Sequence, residues 1–238
     1  MMFLNPFVAN EIVQRGMNDP TIPVMMQPSY AQAYEDVIID GLIYSMLSQN
    51  NKRLHLVFFE IGANHPVAPS ASYLLKQKYG VHTILVEANP DLIPELRKHR
   101  PDDTVIFGAV TNKNVPTVSF AICPDNEISS VNESFVKAWK DGTITDRIEV
   151  PALRINALFG MMYLHNVADM ILSIDIEGHD YEVLTDIDFE KYRPIILMIE
   201  PSEEFAPGTV DKMISFMESK GYSLYSRTFV NLIFKRLE

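Results

Sequence analysis

Acidic residues stand at the ends of several apolar runs in this sequence. Glu60 and Glu87 end two runs in the first half of the chain, and Asp175 and Glu200 end two more in the second half. A continuous apolar run is typical of a buried parallel strand, and parallel strands present their carboxyl ends at one edge of a sheet. We therefore predict an acid-lined pocket at that edge, where a nucleoside-bearing cofactor binds and Glu87 contacts its ribose hydroxyls.

A short glycine loop, Gly62-Ala63-Asn64, follows the first of these runs. Glycine lets the backbone turn tightly and approach a ligand that a side chain would exclude. Glu87 follows Gly62 by 25 residues, close to the spacing of about 20 that places an acid on a ribose in dinucleotide folds. The loop lacks a second and third glycine, which favours a cofactor without a pyrophosphate. Two alternatives stay open: Glu60 caps the next helix, and Glu87 is a strand-end charge in solvent.

Strands and helices alternate along the chain, and this alternation must position the acids. It predicts an α/β fold, namely a Rossmann-like, mostly parallel seven-stranded sheet with helices on both faces and a C-terminal antiparallel hairpin. The predicted strands are 54–61, 82–87, 104–110, 115–122, 147–150, 169–175, 194–200, 222–227 and 229–236. The predicted helices are 30–49, 69–79, 91–99, 156–164, 181–184 and 207–219, and the stretch 123–146 is polar without a clear period.

The first 50 residues differ from the rest. Residues 1–28 contain four prolines and little periodicity, which predicts an irregular arm or a short helix, and the helix over 30–49 follows. We therefore divide the chain into an N-terminal arm and helix, residues 1–50, and one catalytic domain, residues 51–238. The arm is a candidate contact with a partner subunit in a homo-oligomer.

Composition restricts the class of protein. The net charge of −11 argues against binding to a nucleic acid polymer, because phosphates would be repelled. Cys123 is the only cysteine, so no internal disulfide forms. No apolar run approaches the roughly 18 residues that span a bilayer, and the N-terminus lacks the basic start of a secretory signal. We expect a soluble, cytoplasmic protein without a membrane span.

Four segments together resemble the FkbM family of class I S-adenosylmethionine-dependent methyltransferases. Residues 60–64 resemble the cofactor loop of that family, and residues 86–90 its ribose-binding strand end. Residues 173–184 are similar to the most diagnostic motif of the family, Asp-x-Glu-Gly followed by an acid and a leucine. Residues 199–201 fall where the family has a strand that ends in Glu. Two departures are His65-Pro66 after the loop and Asn156, where the family often has Asp.

The resemblance implies S-adenosylmethionine as the cofactor. Glu60 and Asp175 would face its positively charged sulfonium and amino groups, and Glu87 its ribose. Gly108 and Ala109 end the third strand and would pass near the adenine, although an ordinary exit from a strand explains them equally well. The implied cofactor-binding residues are Glu60, Gly62, Ala63, Asn64, Glu87, Ala88, Gly108, Ala109 and Asp175.

The motif also supplies candidates for catalysis. Asp175, Glu177 and His179 occupy alternate positions, so an extended chain would place them on one side, near Glu200. In one mechanism His179 or Asp175 takes the proton of an acceptor hydroxyl as general base. In the other, Asp175, His179 and Glu200 hold a divalent metal that lowers the pKa of that hydroxyl. His179 could instead be a helix N-terminal residue without a chemical role.

Three functions remain in competition. The first is methyl transfer to oxygen, with a small-molecule acceptor such as a sugar or a sugar nucleotide used in surface polysaccharide biosynthesis. The second is a nicotinamide-dependent oxidoreductase on a similar sheet, which the missing glycine fingerprint disfavours. The third is a non-catalytic scaffold that has the methyltransferase fold. The resemblance favours the first.

Overall fold

The computed structural model describes residues 28–50, 55–139, 142–163 and 169–237. Within these ranges no helix has the length and apolar character needed to cross a bilayer. The arm predicted over residues 1–28 lies outside the described residues apart from Pro28, and so does the oligomer contact predicted for it.

A seven-stranded sheet forms the centre of the molecule, as predicted. Five neighbouring strands are parallel, and the last two form the predicted C-terminal antiparallel hairpin. The second strand of that hairpin lies between its partner and the parallel strands. In spatial order the strands are β3 (Thr104–Phe107), β2 (His82–Glu87), β1 (Leu56–Ile61), β7 (Asp169–Ile174), β8 (Ile196–Ile199), β10 (Leu232–Arg236) and β9 (Tyr222–Arg227).

Helices cover both faces of this sheet. Because successive strand residues point to opposite faces, Phe59 and Leu172 pack with one group of helices, and Phe58 and Ile171 pack with the other. The first group contains α5 (Ile155–Tyr163), α6 (Asp180–Asp186) and α7 (Thr209–Ser219). The second contains α1 (Glu35–Asn50) and α2 (Tyr73–Tyr79), and α3 (Ile93–His99) packs against Leu85 and Ala63.

A second sheet stands beside the first. Its strands are β4 (Ala109–Val110), β6 (Asp146–Leu153) and β5 (Thr117–Ile122), in that spatial order. The prediction of one strand over 104–110 is wrong, because the chain turns at Gly108 from β3 into β4. Gly108 has a φ of 150°, and a Cβ there would lie 2.8 Å from the Pro151 carbonyl oxygen.

The polar stretch 123–146 contains two short helical segments that its weak periodicity did not predict. A 3₁₀ turn covers Asn126–Ile128, and α4 covers Glu133–Ala138. Asn132 begins this helix, since its side-chain oxygen accepts hydrogen bonds from the Ser134 and Phe135 N–H groups. The helix predicted over 69–79 starts later than expected, at Tyr73.

Candidate functional site

The four strand-tip acids line one cavity at the carboxyl edge of the main sheet. Glu60 lies at the end of β1, Glu87 ends β2, and Asp175 and Glu200 directly follow β7 and β8. These strands are neighbours, so their tips meet. The cavity has a volume of about 1170 Å³. The structure thus brings together acids that are far apart in the sequence.

Glu60 is buried and anchors the segment that precedes α2. Its carboxylate accepts a hydrogen bond from the Ala71 N–H at 2.7 Å, and further ones from the Ser70 and Ser72 hydroxyls. Burial raises the pKa of Glu60, while the Ser72 hydrogen bond and the Arg100 charge lower it. Glu60 therefore fixes the start of the next helix and also forms part of the cavity wall.

Gly62 brings the loop close to the neighbouring strand. Its φ is +82°, and a Cβ at this position would lie 1.7 Å from the Asp175 carbonyl oxygen. The Gly62 and Ala63 N–H groups donate to the Val86 carbonyl at 2.9 and 3.0 Å. The loop is therefore pinned between β2 and the end of β7, where no larger residue fits.

Glu87 is buried at the end of β2 and supports the same loop. Its two carboxylate oxygens accept hydrogen bonds from the Asn64 N–H at 2.9 Å and the Asn89 N–H at 2.6 Å. Burial raises the pKa of Glu87, and these hydrogen bonds lower it. Each carboxylate oxygen can accept a second hydrogen bond, so Glu87 keeps capacity for a ligand hydroxyl.

The predicted adenine-side residues lie beside Glu87. Ala88, Gly108 and Ala109 all line the cavity. The Gly108 N–H donates to the Glu87 carbonyl at 2.9 Å, which ties the start of β4 to the end of β2. Ala88, Gly108 and Ala109 offer only small groups to the cavity, and Phe120, which packs with Ala88 and Ala109, also lines it.

Asp175, Glu177 and Glu200 form a compact cluster that we call the acid triad. One carboxylate oxygen from each lies within 4.8 Å of the other two. Burial raises the pKa of all three carboxyls. After burial, the neighbouring charge of Asp175 is the largest cause that raises the pKa of Glu177 and of Glu200.

The backbone turns sharply after Asp175. Glu177 and Gly178 have φ values of +57° and +81°, and a Cβ on Gly178 would lie 2.4 Å from the Phe135 ring. The chain over residues 175–179 is therefore not extended, and the condition that would place Asp175, Glu177 and His179 on one side is not met. Two successive left-handed residues keep Glu177 beside Asp175 and send His179 in another direction.

His179 accordingly stands apart from the acid triad. Its Nε2 lies 3.3 Å from Thr111 Oγ1, and its Nδ1 lies 3.8 Å from Glu182 Oε2. Burial lowers the pKa of His179. The residues that come within ligand distance of one another are Asp175, Glu177 and Glu200, so Glu177 takes the place predicted for His179 in the metal set.

Carboxylates dominate the described lining of the cavity. Arg227 is the one Lys or Arg side chain among the lining residues that the structure describes. The ten acids of the lining are Glu35, Glu60, Glu87, Asp125, Glu127, Asp175, Glu177, Glu200, Glu203 and Glu204. Such a wall attracts cations and repels anions.

The strand-tip acids and the glycine loop coincide with a known domain. The profile of the methyltransferase FkbM domain matches residues 60–224. The chain belongs to the FkbM methyltransferase family. The matched region begins at Glu60 and includes the glycine loop, Glu87 and the acid triad.

Solved methyltransferases are similar to the chain at low sequence identity. One is a TehB-like S-adenosylmethionine-dependent methyltransferase from Corynebacterium glutamicum, with 12% identity, a TM-score of 0.36, and coverage of 98% of this chain and 100% of that one. Another is a methyltransferase from Geobacter sulfurreducens, with 12% identity, a TM-score of 0.39, and coverage of 100% and 91%. No curated protein matches the chain.

Sequence reasoning missed the residues that support the FkbM acid motif. Asp180 is buried at the start of α6 and accepts hydrogen bonds from the Ile176 and Gly178 N–H groups at 3.0 and 3.1 Å. Ser130 Oγ donates to the Glu177 carbonyl at 2.7 Å, and Asn132 Nδ2 donates to the Gly178 carbonyl at 2.8 Å. The acid within the motif was a signal for Asp180. Ser130 belongs to the pair Ser129-Ser130, which resembles a family position beside the cofactor but is equally typical of a loop, and Asn132 gave no signal.

A second missed group joins the two ends of the described chain. Glu35, at the start of α1, lines the cavity although it lies before the matched domain. Its carboxylate accepts hydrogen bonds from Thr228 Oγ1 at 2.6 Å and Asn231 Nδ2 at 3.4 Å, in the turn between β9 and β10. No motif marked these residues, because their relation appears only in the folded chain.

The acid triad fits a divalent cation. Carboxylate oxygens are the ligands that Mg²⁺ and Ca²⁺ prefer. Glu200 Oε2 is buried without a hydrogen-bond partner among the described residues, and a cation could satisfy this oxygen. Asp175, Glu177 and Glu200 are therefore the residues that would hold such an ion.

Proposed function

We propose that this FkbM protein is an S-adenosylmethionine-dependent O-methyltransferase that acts on a sugar hydroxyl. The observation that carries the proposal is the convergence of Glu60, Glu87, Asp175 and Glu200 on one cavity, beside a glycine loop at close approach. The cavity volume of about 1170 Å³ exceeds the range of roughly 300–1,000 Å³ usual for one ligand. It has room for a cofactor and an acceptor together.

The cofactor would bind along the tips of β1 and β2. S-adenosylmethionine, when bound, supplies a methyl group on a positively charged sulfur. Glu87 would accept hydrogen bonds from the ribose hydroxyls, and the carboxylates of Glu60 and Asp175 would balance the positive end. The Gly62-Ala63-Asn64 loop would allow close backbone approach, and Ala88, Gly108 and Ala109 would flank the adenine.

Asp175 is our candidate for the general base. Its carboxylate lies beside those of Glu177 and Glu200 in the cavity lining, and its charge raises the pKa of both neighbours. Asp175 would take the proton from the acceptor hydroxyl as its oxygen becomes the nucleophile. Glu177 would orient the acceptor beside it. We prefer Asp175 to His179, because the His179 ring contacts Thr111 and Glu182 away from the acid triad.

A divalent metal is the second form of the same proposal. Asp175, Glu177 and Glu200 would hold the ion, and the ion would lower the pKa of the acceptor hydroxyl. His179, which the sequence suggested as a ligand, is replaced by Glu177 in this set. Activity after chelation distinguishes the two forms.

Exposed aromatic residues support a sugar as acceptor. Trp139 and Phe229 line the cavity with 44% and 95% of their surfaces exposed. An exposed aromatic face suits the C–H groups of a sugar ring. A role in surface polysaccharide assembly, with the sugar free or nucleotide-linked, remains our prediction. Residues 51–238 would form the catalytic domain, on which α1 packs.

The test combines cofactor binding with turnover. We expect wild-type protein to bind S-adenosylhomocysteine in calorimetry and to methylate at least one member of a panel of sugars and sugar nucleotides. Asp175→Asn should lower kcat/KM by about 100-fold or more, the usual contribution of a general base.

The matched control is Glu149→Gln, which removes a charge from an exposed residue outside the cavity lining. It should retain most of the activity. Absence of S-adenosylhomocysteine binding at millimolar ligand would reject the proposed function. An Asp175→Asn variant with activity close to wild type would remove Asp175 from both forms of the mechanism.

A further inference from the structure

Unpartnered polar atoms concentrate at one end of the cavity. Among the described residues, four buried side-chain N or O atoms lack a hydrogen-bond partner. Three of them, Glu200 Oε2, Ser202 Oγ and Asn231 Oδ1, belong to residues that line the cavity. The fourth, Thr83 Oγ1, belongs to a residue outside the lining. A buried polar group without a partner costs about 1–3 kcal/mol, so this concentration points to a ligand that completes the hydrogen bonds.

These three residues lie close together in the fold. The antiparallel register pairs Leu232 with Ile199. Asn231 and Glu200 are the next residues at the same edge of the sheet, and Ser202 follows two positions later. The group therefore sits at the tips of β8 and β10, beside the acid triad and away from the predicted ribose and adenine residues on β2 and β4.

Glu35 fixes the orientation of the Asn231 amide. Asn231 is 4% exposed, and its Nδ2 donates to Glu35 Oε1 at 3.4 Å. The same Glu35 oxygen accepts the Thr228 hydroxyl at 2.6 Å. Because the amide nitrogen must face the carboxylate, the amide oxygen is left for another donor. Glu35 is thus a positioning residue for this end of the cavity.

The chemistry of the open atoms selects the ligand. An amide oxygen and a carboxylate oxygen both accept hydrogen bonds, and a serine hydroxyl can accept one. Their complement is a group with O–H or N–H donors, such as a sugar hydroxyl or an ammonium. A phosphate diester or pyrophosphate has no donor at neutral pH. It would face a lining with ten acidic residues, among them the exposed Asp125, Glu127 and Glu204, and with Arg227 as the one Lys or Arg of the described lining.

We propose that Glu200, Ser202 and Asn231 form the acceptor subsite, and that it takes an uncharged or amino sugar without phosphate groups. This inference rests on the proposed methyltransferase function and narrows it, because it disfavours nucleotide-linked acceptors.

Calorimetry on the protein loaded with S-adenosylhomocysteine tests the ligand class. The probes are glucosamine and glucosamine 6-phosphate, which differ only in the phosphate. We expect glucosamine to bind at least tenfold more tightly. Equal affinity, tighter binding of the phosphate, or no binding of glucosamine at tens of millimolar overturns the subsite. Failure of S-adenosylhomocysteine to bind in the first step is a different result, since it rejects the proposed function itself.

Variants test the residues. Asn231→Leu and Ser202→Ala should each weaken glucosamine binding about fivefold or more, with the affinity for S-adenosylhomocysteine unchanged. Thr83→Val is the matched control, because it removes an unpartnered buried hydroxyl outside the cavity, and it should leave both affinities unchanged. If Asn231→Leu does not fold, Ser202→Ala carries the test alone. Glucosamine binding unaffected by Ser202→Ala, or weakened equally by Thr83→Val, contradicts the assignment.

Discussion

Glu177 shows how a single residue depends on its backbone. The sequence placed it in an alternating row with Asp175 and His179, and such a row requires an extended chain. The structure instead holds Glu177 at a φ of +57°, with the Ser130 hydroxyl on its carbonyl. Glu177 is consequently kept beside two other carboxyls, although like charges repel and burial disfavours ionisation.

Neutralising Glu177 should stabilise the metal-free protein at alkaline pH. Burial, followed by the Asp175 and Glu200 charges, raises its folded-state pKa above the unfolded value of about 4.3. Below about pH 4.3 the carboxyl is protonated in both the folded and the unfolded state and does not lower the free energy of unfolding. As the pH rises from there toward the folded-state pKa, the carboxyl loses its proton in the unfolded state only, so the free energy of unfolding falls. Glu177→Gln should exceed wild type in unfolding free energy by at least about 1 kcal/mol at pH 8, and match it near pH 4.

Urea denaturation without divalent ions measures this difference. Glu149→Gln is the control, since Glu149 is an exposed glutamate on β6, and it should change stability little at either pH. A Glu177→Gln variant that is less stable than wild type at pH 8 would show that the ionised carboxylate is favourable in the fold.

At the scale of elements, the apolar runs predicted most of the main sheet. Each strand of that sheet overlaps a predicted one, because a buried parallel strand leaves a continuous apolar signal. The direction of those strands also predicted which edge of the sheet carries their carboxyl ends. In the structure, Glu60, Glu87, Asp175 and Glu200 line one cavity at that edge. The family resemblance was carried by the same elements and is confirmed.

Sequence reasoning failed where a contact from elsewhere determines the local structure. The chain turns from β3 to β4 at Gly108, where the Pro151 carbonyl oxygen and the Leu153 side chain on β6 leave no room for a Cβ. The Glu60 carboxylate holds Ser70–Ser72 and delays α2. The six-residue α4 is too short to show a helical period. The partners of Glu35 lie 193 and 196 residues away in the chain, so no local pattern could reveal them.

Gly62, which follows β1, gives a prediction about how tightly the glycine loop packs against the end of β7. Gly62 and Gly80 have φ values of +82° and +64°, and both would strain an alanine. A Cβ on Gly80 meets nothing within 4 Å, whereas a Cβ on Gly62 would lie 1.7 Å from the Asp175 carbonyl oxygen. Gly80→Ala should cost about 1 kcal/mol, and Gly62→Ala at least about 3 kcal/mol, since a backbone atom cannot move aside cheaply.

Denaturant unfolding of the two variants provides the comparison, with Gly80→Ala as the control for left-handed strain. If the two variants lose equal unfolding free energy, the backbone at Asp175 can move away from the loop and make room for the Cβ. S-adenosylhomocysteine binding by a folded Gly62→Ala protein should be weaker than that of Gly80→Ala, because the loop would be displaced from the cofactor wall.

For the whole molecule, charge is the dominant property. The chain carries a net charge of −11, and ten carboxylates line the cavity. S-adenosylmethionine has a positive sulfonium that S-adenosylhomocysteine lacks, and the two ligands are otherwise alike apart from one methyl group. The field of the protein should therefore favour the charged ligand, and salt should screen this preference.

Calorimetry at low and high salt measures the effect. Between about 20 mM and about 500 mM NaCl, we expect the affinity for S-adenosylmethionine to fall at least about threefold more than that for S-adenosylhomocysteine. S-adenosylhomocysteine serves as the internal control for general salt effects. Parallel losses for the two ligands would show that the acidic lining does not act on the sulfonium.

The hydrogen bonds of Glu35 with Thr228 and Asn231 have a consequence for biosynthesis. Glu35 emerges from the ribosome long before its two partners, which belong to the last hairpin of the described chain. These two hydrogen bonds can therefore form only after the hairpin has been synthesised. A nascent chain that stalls before Thr228 would leave Glu35 without both partners at the wall of the cavity.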